Sequence, residues 1–248
     1  MSVERLAELV RSRQPCVVLT GAGISTESGI PDFRSATGLW AQYDPQEYAT
    51  IDAFLADPVK VWDFYGKRLD LLAGAQPNEG HLALAELERR GWVEAVITQN
   101  IDRLHERAGS EVVVEVHGSI RTASCLDCGE IVPFDDVRQQ LESTPVPTCP
   151  GCGRILKPDV VMFGELLPEA AIARATQLAA EARLLLVVGS SLEVYPVAGL
   201  PLETLAAGGS LAIVNRDATQ YDLRASVTID AGAGETLRAL AAALPGRQ

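Results

Sequence analysis

The stretch CVVLTGAGISTESGIPDFR, residues 16–34, governs how the rest of the chain is read. A run of apolar and β-branched residues leads without interruption into Gly21 and Gly23. This is how a strand ends in a turn whose bare backbone approaches a pyrophosphate at a helix N-terminus. The third glycine of G-x-G-x-x-G would fall at position 26, which is Thr26. No acidic residue closes a second strand about 20 residues further on, so a hydride-transferring dehydrogenase fits poorly. A tight turn without a ligand would use the same two glycines. Asp32, Phe33 and Arg34 then put charge and an aromatic ring where an ordinary dinucleotide fold continues its helix.

Working outward, strand-like runs recur at VEAVITQN (93–100), VVVEVHG (112–118), LLLVVGSS (184–191), LAIVNRD (211–217) and SVTID (226–230). Helical patterns lie between them: HLALAELERR after Pro77 and Asn78, PEAAIARATQLAAEA from Pro168, and VAGLPLETLAAGG. Continuous apolar strands alternating with amphipathic helices predict an α/β fold, a doubly wound parallel sheet covered on both faces. MSVERLAELVRSR reads as an amphipathic first helix and DAGAGETLRALAAALPGRQ as a closing helix with a frayed end. Two segments break the alternation. Residues 32–77 hold many aromatics and no clear strand, and residues 121–157 hold four spaced cysteines. The expected division is a sheet domain over 1–31, 78–120 and 158–248, a loop and helical insertion over 32–77, and a metal module over 121–157.

With 248 residues, 47% hydrophobic and 22% charged, the chain can bury a large core. The formal charge of -12 argues against nucleic acid as a partner. Glu4, Arg5 and Glu8 interrupt any signal-peptide core, and LLLVV at 184–188 is far short of the roughly 20 residues of a membrane helix. A cytoplasmic protein without a membrane partner is expected.

Cys125 and Cys128, then Cys149 and Cys152, form two C-x-x-C knuckles 20 residues apart. Four thiolates at this spacing close a tetrahedral zinc site with no open position, so the metal is expected to be structural. Cys16 lies within the first strand and reads as core. Of three histidines, His81 and His105 fit a helix cap or a surface contact, whereas His117 ends a strand at the edge where doubly wound sheets place ligands. An imidazole there suits a general base, or else a structural role. Gln99, Asn100 and Asp102 suit a sugar or carboxamide, or equally an Asx turn and helix cap. Gly189, Ser190, Ser191 and Asn215 also end strands, so several strand ends converge on one crevice.

The motifs GAGISTESGIPDFRS, TQNIDRLHERAG, EVHGSI, the four cysteines, KPDVVMFGE, GSSLEVYPVAGLP and IVNRDATQYD stand in the order of the sirtuins, and the chain resembles that family along essentially its whole length. The resemblance implies a Rossmann-like domain with a small zinc module, and a protein lysine deacylase that consumes NAD, releasing nicotinamide and 2′-O-acyl-ADP-ribose. It implies that Gly21, Ala22, Gly23, Ile24 and Ser25 approach the cofactor, with Asp32, Phe33 and Arg34 in a mobile cofactor loop. Nicotinamide would lie near Gln99, Asn100, Ile101 and Asp102, and the adenosine half near Gly189, Ser190, Ser191, Asn215, Arg216 and Ala233. The acyl oxygen would attack the ribose with Phe33 shielding it, His117 would be the base, with Asn100 and Asp102 also catalytic, and Val160, Val161 and Phe163 would line the lysine tunnel. Acyl-lysine proteins or peptides are the implied partners. Lys157 departs from the arginine more often found before the Pro-x-Val-Val segment.

Tyr65 and Arg68 resemble the pair of sirtuins that remove succinyl and malonyl groups; on a helix they share a face and suit a distal carboxylate, or else are a packing aromatic beside a solvated arginine. ADP-ribosyl transfer or NAD hydrolysis on the same site is the enzymatic alternative, and a non-catalytic NAD or ADP-ribose sensor the other. Both rank lower, because a sensor needs neither a base nor a tunnel.

Overall fold

The computed structural model describes residues 2–247. Met1, at the start of the expected first helix, and Gln248, at the end of the expected frayed tail, lie outside them. In chain order come α1 (Val3–Ser12), β1 (Cys16–Thr20), α2 (Pro45–Tyr48), α3 (Ile51–Ala56), α4 (Pro58–Gly74), α5 (Glu79–Arg89) and β2 (Ala95–Thr98). Then follow α6 (Leu104–Ala108), β3 (Val113–Glu115), β4 (Gly118–Cys125), β5 (Ile131–Pro133), α7 (Phe134–Leu141) and β6 (Leu156–Val160). The chain closes with α8 (Glu169–Glu181), β7 (Leu184–Val188), α9 (Leu200–Ala206), β8 (Ser210–Val214), β9 (Val227–Ile229) and α10 (Ala233–Ala243).

Six strands form one sheet in the order β3-β2-β1-β7-β8-β9, every pair parallel. The order reverses between β1 and β7, and ligands of such sheets bind beyond the carboxyl ends at that switch point. Alternation along each strand divides the core. Cys16, Val18, Leu184, Leu186 and Val188 pack with α1, α5 and α10 on one face, and Val17, Leu19, Leu185 and Val187 with α8 and α9 on the other. Each fully buried Val or Leu contributes about 1.5–3 kcal/mol, which is why these runs are strands with no polar face.

A second sheet, antiparallel in the order β5-β4-β6, carries the cysteines. Its core is continuous with that of the helical insertion: Phe54, Trp62, Phe64 and Tyr65 pack in one cluster with Val132, Phe134 and Leu156. The Trp62 indole donates to the Leu156 carbonyl at 2.9 Å, joining the two segments that the sequence presents as separate.

Three expectations are corrected. The tail after α10 is held, not frayed: Trp92 Nε1 donates to the Pro245 carbonyl at 2.6 Å, and the Arg247 guanidinium lies over the Trp92 ring. His105 is no surface contact. It is 2% exposed, its Nε2 is 2.9 Å from Thr20 Oγ1, and burial pushes its pKa down to about 3. The third strand stops at Glu115, so His117 sits past its end, just before β4, and does not close the strand. Among the described residues no helix is long and apolar enough to cross a membrane.

Candidate active site

The turns after β1 and β7 meet at the switch point. Gly21 N donates to Val188 O at 3.1 Å and Gly23 N to Gly189 O at 2.9 Å. A Cβ on Gly21 would lie 2.8 Å from Gly189 O, and one on Gly189, whose φ is +60°, would lie 2.7 Å from the Gly23 carbonyl carbon. No side chain fits between these backbones. Thr26 takes the third glycine position without harm, because the chain here is a 3-10 helix, Ala22–Ser28, and Thr26 Oγ1 donates to Gly23 O at 3.0 Å.

Beside the glycines lies a buried polar network. Asn100 Nδ2 donates to Gly21 O and to Ser25 Oγ, both at 3.1 Å, and Ser25 Oγ donates to Asp102 Oδ2 at 2.6 Å. Asp102 Oδ1 accepts the Leu104 amide at 2.9 Å, so the Asx-turn alternative is also realised. Gln99 Nε2 donates to Ser190 Oγ at 2.8 Å, linking the β2 and β7 ends. His81 sits behind Ser25, Nε2 to Oγ 3.4 Å, and belongs to the capping box of α5 with Asn78, as one reading of the sequence expects. Burial pushes its pKa down to about 4 against the opposing charge of Asp102.

His117 Nδ1 is 3.0 Å from the Gln99 carbonyl. A carbonyl only accepts, so Nδ1 carries the proton and Nε2 is the free basic nitrogen. Burial lowers the pKa of His117, opposed by the bond to Gln99.

One cavity of about 320 Å³ unites these groups. Gly21, Ala22, Gly23, Ser25, Asp32, Phe33, Arg34, Gln99, Asn100, Ile101, Asp102 and His117 line it, as do Gly189, Ser190, Ser191, Asn215, Tyr65, Arg68, Val160, Val161 and Phe163. Three expected contacts do not. Ile24 turns into the core with Val18 and Leu84, Ala233 is buried in that same core, and Arg216 extends towards Gly232. Reading along the sequence missed Trp40, Met162, Glu165, Tyr195 and Asp217, which also line the cavity. They stand in irregular segments or, for Trp40, in a single 3-10 turn, too short for periodicity to mark the inward side.

The loop of residues 32–40 is folded back on itself. Ser35 N donates to Asp32 Oδ1 at 2.9 Å, Trp40 N donates to Phe33 O at 2.9 Å, and the two rings lie 5.2 Å apart. Arg34 Nε reaches Glu193 Oε2 at 2.7 Å. On α4, Arg68 lies 5.5 Å from the Phe33 ring and 5.6 Å from Phe64, and burial lowers its pKa. Among the described residues its Nη1 is buried without a hydrogen-bond partner. Burial likewise pushes Tyr65 up to about 12, so its phenol stays protonated.

Away from the cavity the four cysteine sulfurs lie within 4.8 Å of one another, Cys125 to Cys152 at 3.5 Å and Cys128 to Cys149 at 3.6 Å. Four sulfurs about 2.3 Å from a tetrahedral zinc stand about 3.8 Å apart, whereas a disulfide needs about 2.05 Å. The cluster therefore fits one zinc ion. Each knuckle is shaped by a turn in which Gly129 N donates to Cys125 O at 3.0 Å and Gly153 N to Cys149 O at 2.8 Å, both glycines at positive φ.

The Sir2 family model matches residues 21–196. An NAD-dependent protein deacylase 2 of Pyrobaculum aerophilum is 47% identical over 232 residues, 94% of this chain and 92% of the relative. The fold is similar to a solved complex of Sir2 with a p53 peptide and NAD+ (TM-score 0.90, 42% identity, 97% of each chain). It is similar also to Sir2Tm bound to a propionylated peptide (TM-score 0.89, 42% identity, 97% of each chain).

Proposed function

This chain belongs to the Sir2 family, and we propose that it is an NAD-dependent protein lysine deacylase whose active site is the cavity at the switch point. The observation that carries the reading is that one cavity is lined at once by the glycine turns, by His117 and by the apolar residues Val160, Val161 and Phe163. A nucleotide sensor has no use for the last two features. The cradle fits NAD: a Cβ on Gly21, Gly23 or Gly189 would lie under 3.0 Å from neighbouring backbone, so these turns would present bare backbone to a pyrophosphate.

Bound NAD supplies a cationic nicotinamide as leaving group and, with it, an electrophilic ribose carbon for the acyl oxygen. Gly21, Ala22, Gly23 and Ser25 hold the phosphates, and Ser190, Ser191 and Asn215 the adenosine half. Asn100 and Asp102, fixed through Ser25, orient the nicotinamide side together with Gln99 and Ile101. Asp32 and Arg34 hold the cofactor loop, and Phe33 excludes water from the reacting centre. His117 Nε2 takes the proton from a ribose hydroxyl. Val160, Val161 and Phe163 enclose the lysine stem. The cysteine cluster holds zinc as a structural ion and takes no part in the chemistry. Its reduced thiols support a cytoplasmic setting.

We further infer that the acyl pocket accepts acids. The unpartnered Nη1 of Arg68, beside a protonated Tyr65 phenol, is the donor set that a distal carboxylate requires. Mass spectrometry of one peptide carrying acetyl- or succinyl-lysine, incubated with and without NAD, tests both readings. Acyl loss only with NAD, alongside O-acyl-ADP-ribose, is the expected result. NAD consumption with both acyl groups intact would replace deacylation by ADP-ribosyl transfer or hydrolysis, and acetyl loss alone would remove the acidic-acyl reading.

A further inference from the structure

Lys157 is 6% exposed and does not line the cavity, yet each N–H of its ammonium has an acceptor. Nζ donates to Pro158 O at 3.0 Å and to Val160 O at 2.9 Å, and lies 2.9 Å from Glu165 Oε2. That carboxylate oxygen also accepts the Met162 amide at 2.8 Å, while Glu165 N donates to Met162 O at 3.0 Å. One buried cation thus ties the start of residues 158–165 to their end.

The other bonds of this segment run outward. Val161 N donates to His117 O at 2.9 Å, Phe163 N to Ala49 O at 2.8 Å, and Ile51 N to Phe163 O at 3.0 Å. With the β4–β6 ladder over the strand's residues they attach the segment to its neighbours, whereas Lys157 with Glu165 joins its two ends to each other. Val160, Val161 and Phe163, which line the cavity, lie between those two ends. The three acceptors are separate groups, one on each N–H, which matches the three donors of an ammonium and does not require the two-pronged contact of a guanidinium.

We propose that Lys157, acting through Glu165, is a positioning residue that shapes the acyl-lysine tunnel without contributing to NAD binding. The proposal rests on the deacylase reading. Replacing Lys157 by methionine keeps the bulk but removes the donor that two carbonyls share with the Glu165 carboxylate, leaving that carboxylate only the Met162 amide, so the two ends of the segment lose their tie. The NAD cradle, built from β1, β2 and β7 ends, shares none of these bonds.

The test is a set of steady-state and binding measurements on Lys157→Met, Lys157→Arg and Glu165→Gln. For Lys157→Met the KM for an acetyl-lysine peptide should rise at least tenfold while the Kd for ADP-ribose, read by calorimetry, stays within twofold. Lys157→Arg, which keeps the charge and the donors, should return KM to within threefold of the parent. An unchanged peptide KM, a parallel loss of ADP-ribose affinity, or an arginine variant as impaired as the methionine one would overturn the proposal. If Lys157→Met does not fold, Glu165→Gln decides by the same two constants. Failure of the unaltered protein to deacylate the peptide would strike the deacylase reading instead.

Discussion

In the proposed reaction His117 would act as a base only through Nε2, because Nδ1 is committed to the Gln99 carbonyl at 3.0 Å. Burial lowers its pKa from the ordinary 6.5, so the neutral, reactive form persists further into acid than for a free imidazole. The acid limb of kcat/KM for deacylation is therefore expected below pH 6.5, and an acid limb centred above it in a pH-rate profile would refute the burial argument. His117→Ala should lose about 10²- to 10⁴-fold in kcat, the usual worth of a positioned base, with ADP-ribose affinity retained. The place of His117 at the cavity was legible in the sequence from the apolar run before it. The burial of His105 was not, since the Thr20 hydroxyl that meets it, itself bonded to Thr98, comes from the sheet and leaves no trace in its own helix.

At the scale of elements, α4 shows what periodicity delivers. Tyr65 and Arg68 are three apart and reach the same cavity, while Trp62 and Leu69 pack into the second core. Burial of Arg68 and its unpartnered nitrogen could not be read from the sequence, which fits a solvated arginine equally well. Arg68→Met should lower kcat/KM for a succinyl peptide about 10- to 100-fold, the loss of one charged hydrogen bond of about 1.5–3 kcal/mol, and leave the acetyl peptide within threefold. Equal losses on both peptides would assign Arg68 a packing role against Phe33 and Phe64. The central strands β1, β2, β7 and β8 were legible because they are buried on both faces, the strands of the second sheet were not, and the missing third glycine was explained only by the 3-10 turn.

The molecule as a whole has the two-faced sheet and a second lobe in which the helical insertion and the cysteine module share one core. Cys125 and Cys149 belong to that core, so the zinc site closes the lobe from within. Thiol titration of the zinc-loaded protein should find none of the five cysteines reactive; chelation should release four, and only denaturant the fifth. The fifth is Cys16, fully buried in β1, where burial pushes its pKa up to about 12. Five equally reactive thiols in the native protein would contradict both the metal site and the packing of β1.

By itself the sequence determined the parallel sheet, the glycine cradle and the metal ligands, because each depends on spacing within a short stretch: apolar runs, a turn that excludes Cβ, two C-x-x-C knuckles. The tertiary structure alone decided which groups face one another across the chain. Lys157 with Glu165, Ser25 with Asp102 and Trp62 with Leu156 meet only when distant or irregular segments fold together. A buried polar atom takes whatever partner the packing brings within about 3 Å, and local spacing carries no record of that choice.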